Sequence, residues 1–386
     1  MFDSSVLSRT ICVFAGWLGS VAACQAAALH AVRSDGGRAV PRIIARDVCA
    51  WPAMTRLEDG TILVANFNQP SHGRMVGDVD TWASVDDGES WEKRAPGAPH
   101  SPGTLSNRMN VAFGALPGGE VLLVASGWSL KTDASTPSGL QIDKILRPWV
   151  SRSFDGGRTW LIDRESFPEF SPGGGHQIPF GPLQVGASGD LLVPVYDNIP
   201  NPKSGKTKWT HVYVYRSRDR GKSWMDPVVI DAEASYNETA LLHVGGDRWL
   251  AFCRTTHLVA YESPDDGRTW TRLGPVTDKS CYPANAIRLR DGRILLSYGN
   301  RTAGDPRVEA KISSDGGRTW SAPTRIAEVV AAPKPGLEDM GYPSSVQLAD
   351  GSLLTAYYAK HSRLYDGYHL AVVHWDAART FDVASP

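Results

Sequence analysis

The stretch SFDGGRTW at residues 153–160 occurs in five near-copies along the chain, and this repetition decides the fold. The shared pattern is Ser-x-Asp-x-Gly-x-x-Trp, with copies that begin at Ser84, Ser153, Ser217, Ser263 and Ser313. These residue types suit a β-turn, because aspartate accepts hydrogen bonds from turn amides, glycine tolerates a positive φ, and tryptophan packs back onto the sheet. We therefore expect each copy to close a hairpin.

A second repeat alternates with the first. It consists of a short apolar strand, a turn that contains glycine and another apolar strand, and its six copies occupy residues 51–67, 109–126, 181–197, 237–254, 282–301 and 342–358. Every copy except the last is followed by the Ser-x-Asp turn motif. Two successive hairpins make a four-stranded antiparallel sheet, and a radial array of such sheets is a β-propeller. The sequence thus predicts an all-β chain whose residues 40–376 form one six-bladed propeller domain.

The phase of the two repeats predicts where a functional site lies. The glycine turns and the Ser-x-Asp motifs fall at one end of the blades, so the residues that flank each glycine hairpin emerge together at the other end. The polar and aromatic candidates at or near these flanks are Trp51, His72, Arg74, Asp78, Arg108, His176, Glu238, Arg254, Tyr282, Arg301, Arg307 and Tyr342. Converging arginines are typical of a site for a carboxylate, sulfate or phosphate group, because guanidinium offers two parallel hydrogen bonds. A carboxylate and a tyrosine beside them suggest a glycosidic or acyl-type centre.

The composition argues against several kinds of partner. Among 386 residues, 40 are basic and 41 are acidic, so the net charge of −1 offers no basis for binding nucleic acid or an anionic membrane surface. No motif indicates a metal or a cofactor, and the three cysteines beyond the N-terminal region match no metal-binding spacing. These cysteines, Cys49, Cys253 and Cys281, are either buried thiols or include a Cys253–Cys281 bridge.

Residues 1–28 have the features of a secretory signal. The apolar run Ile11–Ala23 follows Arg9 and leads into small residues, as in the hydrophobic region and cleavage zone of such signals. The sequence Val21-Ala22-Ala23-Cys24 also resembles a bacterial lipobox, so lipid attachment at Cys24 and plain cleavage near Ala26–Ala28 are both open. No later apolar run is long enough to span a bilayer. We expect a secreted or periplasmic protein, either soluble or tethered through Cys24.

Five Ser-x-Asp motifs on a six-bladed propeller resemble the sialidase (neuraminidase) superfamily, whose repeats are called Asp boxes or BNR repeats. The resemblance extends over nearly all of residues 40–376. It implies that Tyr342 is the nucleophile, that Glu238 is its base, and that Arg254 binds the carboxylate of the substrate. Arg301 is expected to be a further arginine of this clamp, with Arg307 as the alternative.

Two positions depart from the superfamily pattern. The first arginine of its carboxylate-binding triad lies in an Arg-Ile-Pro-like motif, whereas this chain has Ala50-Trp51-Pro52, and the candidate replacements are Arg46, Arg74 and Arg108. The acid/base aspartate of the superfamily lies in the loop before the first Asp box, where this chain offers Asp78 or His72. A histidine can protonate a leaving oxygen because its ordinary pKa is near neutrality.

Three functions are compatible with these residues. The first is an exported, sialidase-like exo-glycoside hydrolase that releases a terminal acidic sugar, such as sialic acid, from a glycan with retention of configuration. The second is a uronate-directed polysaccharide lyase, or another glycosidase, in which His72 or His176 acts with Tyr342. The third is a glycan-binding propeller without catalysis. The sequence does not indicate an oligomeric state.

Overall fold

The computed structural model of the chain describes residues 40–136, 139–200, 207–329 and 339–381, which belong to one compact unit. Within these ranges the chain forms 27 strands and one short helix. The strands assemble into six sheets, which are the six blades of a propeller, so the predicted all-β fold is confirmed. The predicted secretory signal and Cys24 lie outside the described residues.

The strands follow the order of the sequence repeats. Strand β1 (Arg42–Arg46) precedes blade one, which contains β2 (Ala53–Arg56), β3 (Ile62–Phe67), β4 (Val79–Ser84) and β5 (Glu92–Lys93). Blade two contains β6 (Val111–Ala115), the long pair β7 (Val121–Thr136) and β8 (Gly139–Ser153), and β9 (Leu161–Asp163). Blade three contains β10 (His176–Pro179), β12 (Gln184–Val185), β13 (Leu191–Pro200), β14 (Thr207–Trp209), β15 (Val212–Ser217) and β16 (Met225–Val229). The short β11 (Gly181–Pro182) joins blade two by pairing in parallel with β6.

The last three blades are more regular. Blade four contains β17 (Thr239–Gly245), β18 (Arg248–Arg254), β19 (Leu258–Ser263) and β20 (Thr271–Pro275). Blade five contains β21 (Cys281–Arg288), β22 (Ile294–Asn300), β23 (Arg307–Ser313) and β24 (Thr324–Glu328). Blade six contains β25 (Met340–Gln347), β26 (Leu353–Ala359) and β27 (His369–Trp375), and the helix α1 (Ala377–Phe381) follows it.

Blade six takes its fourth strand from the other end of the described chain. Strand β1 pairs antiparallel with β27, with Arg42 opposite Val372 and Arg46 opposite His369. This pairing explains why the sixth glycine hairpin is not followed by a turn motif. The ring is therefore closed by hydrogen bonds between its first and last strands.

Each Asp box connects the third and fourth strands of its blade, as predicted. In the box of blade two, the Ser153 hydroxyl donates to Asp155 at 2.8 Å and accepts from the Gly157 amide at 2.7 Å. The Asp155 carboxylate also accepts from the amide and the hydroxyl of Thr159 at 2.9 and 2.6 Å. Gly157 has a φ of 85°, the left-handed region that glycine enters without strain. The box is thus a turn stabilised by its own side chains.

The boxes also pack each blade against the one before it. A Cβ atom added at Gly221, Gly267 or Gly317 would lie 2.6–2.9 Å from a buried leucine of the preceding blade. The same relation joins the ends of the ring, since a Cβ at Gly88 of blade one would lie 2.6 Å from Leu354 of blade six. Apolar clusters fill the spaces between the sheets, and Cys49, Cys253 and Cys281 are buried free thiols, so the alternative of a Cys253–Cys281 bridge is wrong. No helix among the described residues is long and apolar enough to cross a membrane.

Candidate active site

Tyr342 lies where strand β25 departs from regular pairing. The register with β26 shifts between Gly341 and Ser344, and Tyr342 has a φ of 51°, which is unusual for a bulky residue. Trp51, which packs against it with ring centroids 6.3 Å apart, has a φ of 41°. An irregularity of this kind turns a side chain out of the sheet, and strained backbone conformations cluster at functional sites.

The tyrosine meets the two residues that flank the hairpin of blade four. Glu238 precedes β17 and Arg254 ends β18, and the pairing of Thr239 with Cys253 brings them side by side. The Tyr342 hydroxyl donates to Glu238 Oε1 at 2.5 Å. Arg254 Nη1 donates to Glu238 Oε2, and the same nitrogen lies 3.0 Å from the Tyr342 hydroxyl oxygen. The three residues form a closed cluster.

Burial determines the protonation state of this tyrosine. Only 7% of Tyr342 is exposed, and this burial, together with the nearby Glu238 carboxylate, raises the pKa of its phenol well above the ordinary range. The guanidinium groups of Arg254 and Arg301 act in the opposite direction but do not outweigh these effects. The phenol is therefore neutral near pH 7, and it can become a nucleophile only if a base removes its proton. Glu238 is placed to do so.

Arg301 completes a cationic group beside the tyrosine. Its guanidinium carbon lies 5.5 Å from the ring centres of both Tyr282 and Tyr342, and the Arg254 guanidinium lies 4.1 Å from the Tyr282 ring centre. Arg301 Nη2 donates to the Tyr358 hydroxyl at 3.4 Å, whereas its buried Nε has no hydrogen-bond partner among the described residues. Two guanidinium groups at one place, one with an unused donor, favour the binding of an anion.

His72 packs against Trp51. The two rings make an edge contact with centroids 4.7 Å apart, so Trp51 contacts both His72 and Tyr342. His72 Nδ1 is 3.4 Å from an oxygen of Asp339 and 3.9 Å from the sulfur of Cys49. About half of the His72 side chain is exposed.

Asp339 is held by several donors. The hydroxyl groups of Tyr358 and Tyr368 donate to its two oxygens. Burial alone raises the pKa of this carboxyl, but the hydrogen bonds from His72, Tyr358 and Tyr368 outweigh burial and keep the pKa of Asp339 well below its usual range. Asp339 is therefore a carboxylate at neutral pH, and through Tyr358 it connects His72 to Arg301.

Asp78 forms a separate carboxylate–imidazole pair with His100. Asp78 Oδ1 lies 2.7 Å from His100 Nδ1 and accepts a hydrogen bond from the His100 amide at 2.7 Å. The Asp78 carboxylate is 22% exposed. Asp78 directly precedes β4, and it therefore lies at the same end of blade one as Trp51 and the His72 loop. No contact joins it to Tyr342 among the described residues.

Four other predicted residues make their contacts elsewhere. Arg108 is buried over the Trp149 ring at 3.5 Å and donates to the Arg147 carbonyl, and burial lowers its pKa. Arg307 pairs with the carboxylates of its neighbours Asp305 and Glu309. Arg74 donates to the Leu140 carbonyl at 3.4 Å, and His176 packs on Phe170 with ring centroids 5.1 Å apart. None of these contacts reaches the cluster around Tyr342.

One cavity beside Tyr342 is too small for a sugar. Trp51, Phe180 and Tyr342 line this space of about 30 Å³ among the inner strands, which admits about two water molecules. A glycan that reaches Tyr342 would have to lie outside this cavity.

The sequence repeats did not identify three members of the site. Asp339, Cys49 and Tyr368 contribute to the network around His72. Asp339 lies three positions before Tyr342, so its proximity in sequence to a predicted catalytic residue was the available signal. Cys49 precedes the unusual Ala50, and nothing in its spacing indicated a role.

The fold and these side chains define a propeller with Asp boxes and an arginine-rich cluster around a tyrosine on its open face. The chain matches the family described as BNR repeat-like domain over residues 60–309, and it belongs to that family. The predicted resemblance to the superfamily of sialidase and BNR-repeat propellers is thereby confirmed. No curated protein matches the chain in sequence.

Several solved structures share the fold at low sequence identity. A protein of unknown function from Dyadobacter fermentans DSM 18053 is 24% identical with a TM-score of 0.68, and the match covers 87% of this chain and 98% of that one. The Hadza microbial sialidase Hz136 is 16% identical with a TM-score of 0.63, over 86% of this chain and 66% of the sialidase. A Trypanosoma rangeli sialidase in complex with the inhibitor DANA is 15% identical with a TM-score of 0.61, and the match covers 86% of this chain and 55% of that sialidase. This chain spans less than two thirds of either sialidase, and at these identities the likeness concerns the fold.

Proposed function

We propose that this chain is a retaining exo-glycoside hydrolase that removes a terminal acidic sugar from a glycan. The observation that carries the proposal is the closed contact of Tyr342 with Glu238 and Arg254. A base within 2.5 Å of a neutral phenol, with a cation within 3.0 Å of the same oxygen, is suited to nucleophilic catalysis.

The chemistry needs two displacements at the anomeric carbon. In the first, the Tyr342 oxygen forms a bond to this carbon, Glu238 accepts the phenolic proton, and the bond to the leaving oxygen breaks as an acid protonates it. In the second, water attacks the anomeric carbon and gives its proton to the deprotonated acid, the bond from this carbon to the Tyr342 oxygen breaks, and Glu238 returns the proton to Tyr342. A neutral nucleophile suits a sugar that carries its own carboxylate, because an anionic nucleophile would be repelled. Two inversions give net retention.

The acidic sugar is proposed from the two arginines. Arg254 already contacts Glu238, whereas Arg301 retains the unused Nε donor. A sugar carboxylate placed over Tyr282 would lie near both guanidinium groups. Sialic acid and uronic acids both carry such a group.

Two carboxylate–imidazole pairs are the candidates for protonating the leaving oxygen. One is Asp78 with His100, and the other is His72 with Asp339. Aryl glycosides with acidic leaving groups need little protonation, whereas natural glycosides need it fully. We therefore expect one of two variants, Asp78→Asn or His72→Gln, to lose activity on sialyl-lactose and to retain activity on the 4-methylumbelliferyl sialoside. The residue changed in that variant is the acid.

The decisive experiment compares Tyr342→Phe with the wild-type protein on sialyl and glucuronyl glycosides. We expect kcat to fall by on the order of 10³-fold, because the nucleophile is removed. Tyr357→Phe is the matched control, since Tyr357 is also a buried tyrosine of blade six and its hydroxyl has no partner among the described residues. It should keep nearly full activity.

The alternatives predict other results. An unsaturated product that absorbs in the ultraviolet would identify a uronate lyase. Binding of a sugar acid without turnover would identify a glycan-binding propeller. If Tyr342→Phe remained as active as the wild type, the proposed mechanism would be wrong.

We further propose that the protein is exported. The proposal rests on the apolar run Ile11–Ala23 and the small residues after it. Mass spectrometry of the mature N-terminus from a bacterial host distinguishes its two forms. A start near Ala26–Ala28 indicates plain cleavage, a lipid-modified Cys24 indicates anchoring, and an intact N-terminus in the cytoplasm would contradict export.

A further inference from the structure

Cys49, His72 and Asp339 bring three different metal-ligating atoms together. The Cys49 sulfur, the His72 Nδ1 and an Asp339 oxygen all lie within 4.8 Å of one another. Nδ1 is 3.9 Å from the sulfur and 3.4 Å from the carboxylate oxygen. In a tetrahedral site with Zn–S about 2.3 Å and Zn–N or Zn–O about 2.0 Å, adjacent ligand atoms are roughly 3.3–3.6 Å apart. Small side-chain shifts would therefore place the three atoms around one ion.

We propose that Cys49, His72 and Asp339 bind one divalent transition-metal ion, with zinc as the preferred species. A thiolate, an imidazole and a carboxylate suit zinc better than magnesium or calcium, which prefer oxygen ligands alone. Tyr358 and Tyr368 orient Asp339, as outer-shell hydrogen bonds commonly orient metal ligands. The half-exposed His72 leaves a path for the ion to enter.

Three protein ligands leave the fourth tetrahedral position for water or a substrate atom. The ion would lie beside Ala50, where the superfamily pattern has its first clamp arginine. Because Asp339 is already charged, replacement of the Cys49 thiol proton by a dication raises the charge of the site by one unit, the same increment as the absent guanidinium, and leaves the ion with its three ligands neutral. Arg301 lies on the same side, because Tyr358 contacts both it and Asp339. We infer that the ion contributes the missing third cation and that an oxygen of the sugar carboxylate takes its fourth position. This second step rests on the proposed function.

The binding step is tested by titrating the metal-free, full-length protein with Co²⁺, followed by competition with Zn²⁺. We expect one Co²⁺ per chain, a thiolate-to-cobalt charge-transfer band in the near ultraviolet, and displacement by Zn²⁺. Cys49→Ser should abolish the band, and His72→Gln should weaken Co²⁺ binding by at least about tenfold. Cys281→Ser is the control, because Cys281 is a buried thiol of blade five. The charge-transfer band of this variant with Co²⁺ should equal that of the wild type.

His72→Gln keeps the test decisive if Cys49→Ser does not fold, since His72 is half-exposed and far-ultraviolet circular dichroism can verify its structure. Absence of Co²⁺ binding to the wild type, or binding that neither variant alters, would overturn the metal site. N-acetylneuraminate or glucuronate should shift the visible bands of the cobalt protein. Unchanged bands with a bound sugar acid would overturn the clamp role alone.

Activity distinguishes this inference from the proposed function. If the metal-free protein hydrolyses sialosides at the full rate, the clamp role is wrong and the hydrolase stands. If Co²⁺ binds as expected but no glycoside is cleaved, the hydrolase is wrong and the metal site stands. With a metal on His72, the proton donor to the leaving group would be the Asp78–His100 pair.

Discussion

At the scale of single residues, Arg254 contacts three other residues of the site. It pairs with Glu238, lies 3.0 Å from the Tyr342 hydroxyl and covers the Tyr282 ring. The side chains of Arg254 and Glu238 are only 16% and 11% exposed. Water screens such a pair weakly, so removal of one partner leaves the other charge buried without compensation.

We therefore predict that Arg254→Met lowers the free energy of unfolding by about 1–3 kcal/mol, somewhat below the range for a fully buried pair. Arg218→Met is the matched control, because Arg218 and its partner Asp226 are both more than half exposed. It should change the free energy of unfolding by less than about 0.5 kcal/mol. Urea unfolding measures the change in unfolding free energy of both variants. Equal changes would show that burial of the Arg254–Glu238 pair adds nothing to its effect on stability.

At the scale of secondary-structure elements, the position of Tyr342 depends on how closely β25 approaches β22. A Cβ atom added at Gly299 in β22 would lie 2.9 Å from the Gly341 Cα atom and 3.3 Å from the Tyr282 carbonyl oxygen. Both neighbours are backbone atoms, which cannot rotate away as a side chain can. The backbone before Tyr342 thus packs directly on a glycine of the preceding blade.

Gly299→Ala should displace β25 and with it Tyr342. We predict a loss of about 1–3 kcal/mol in unfolding free energy and a fall in kcat of at least about tenfold. Gly246→Ala is the control, since Gly246 has open space around its Cβ position and lies in a turn at the opposite end of blade four. Because Gly246 has a positive φ, its replacement by alanine should lower the free energy of unfolding by up to about 1–2 kcal/mol, and kcat should stay at the wild-type value. Wild-type kcat in Gly299→Ala would contradict the proposed coupling of the two strands to the site.

The Asp boxes predict a dependence of stability on pH. Burial opposes the shift, but hydrogen bonds from Thr159 and Ser153 lower the pKa of Asp155 from 3.8 to about 2. A carboxyl with a lowered folded-state pKa stabilises the fold above its unfolded pKa near 4, and this contribution is lost as the pH falls toward 2. Asp155→Asn has no carboxyl group to titrate at this position. It should lower the free energy of unfolding by about 1 kcal/mol at pH 6, after allowance for the exposure of Asp155 to solvent.

This deficit of Asp155→Asn relative to the wild type should shrink when urea unfolding is repeated at pH 4 and pH 3. A deficit that stayed constant over this range would show that the carboxylate charge does not stabilise the box. The same comparison for Asp219→Asn provides a second test, because hydrogen bonds also lower the pKa of Asp219 to about 2.

At the scale of the whole molecule, the sequence predicts the ring of six blades, but it does not predict every side-chain contact of the site. The blade number and the meeting of Glu238 with Arg254 follow from local repeats with regular spacing. The role of Asp339 does not, because its donors Tyr358 and Tyr368 belong to blade six whereas His72 comes from blade one, which only the closed ring brings beside it. Arg108 shows the same limit: its flank position was predictable, but its packing on Trp149 of a long hairpin was not.

The closing strand β1 belongs to no repeat, and no sequence pattern indicates its partner. It nevertheless occupies the edge of blade six, and its buried Ile44 and Ala45 join the apolar cluster between blades six and one. Without β1, strand β27 would have a free edge and this cluster would face solvent. The same blade carries Tyr342, so closure of the ring and integrity of the site are linked.

A chain that starts at residue 47 should therefore unfold at a temperature at least about 5 °C below that of a chain that starts at residue 40. The loss combines the backbone hydrogen bonds between β1 and β27 with the burial of Ile44. A synthetic peptide of residues 40–47 should restore part of the difference by pairing with the free edge of β27, whereas the same peptide with Ile44→Asp should not. Calorimetry with and without each peptide measures the melting temperature of the two chains. Equal melting temperatures for the two chains would mean that the propeller is held together by packing between its blades alone, and that strand pairing between its ends is dispensable.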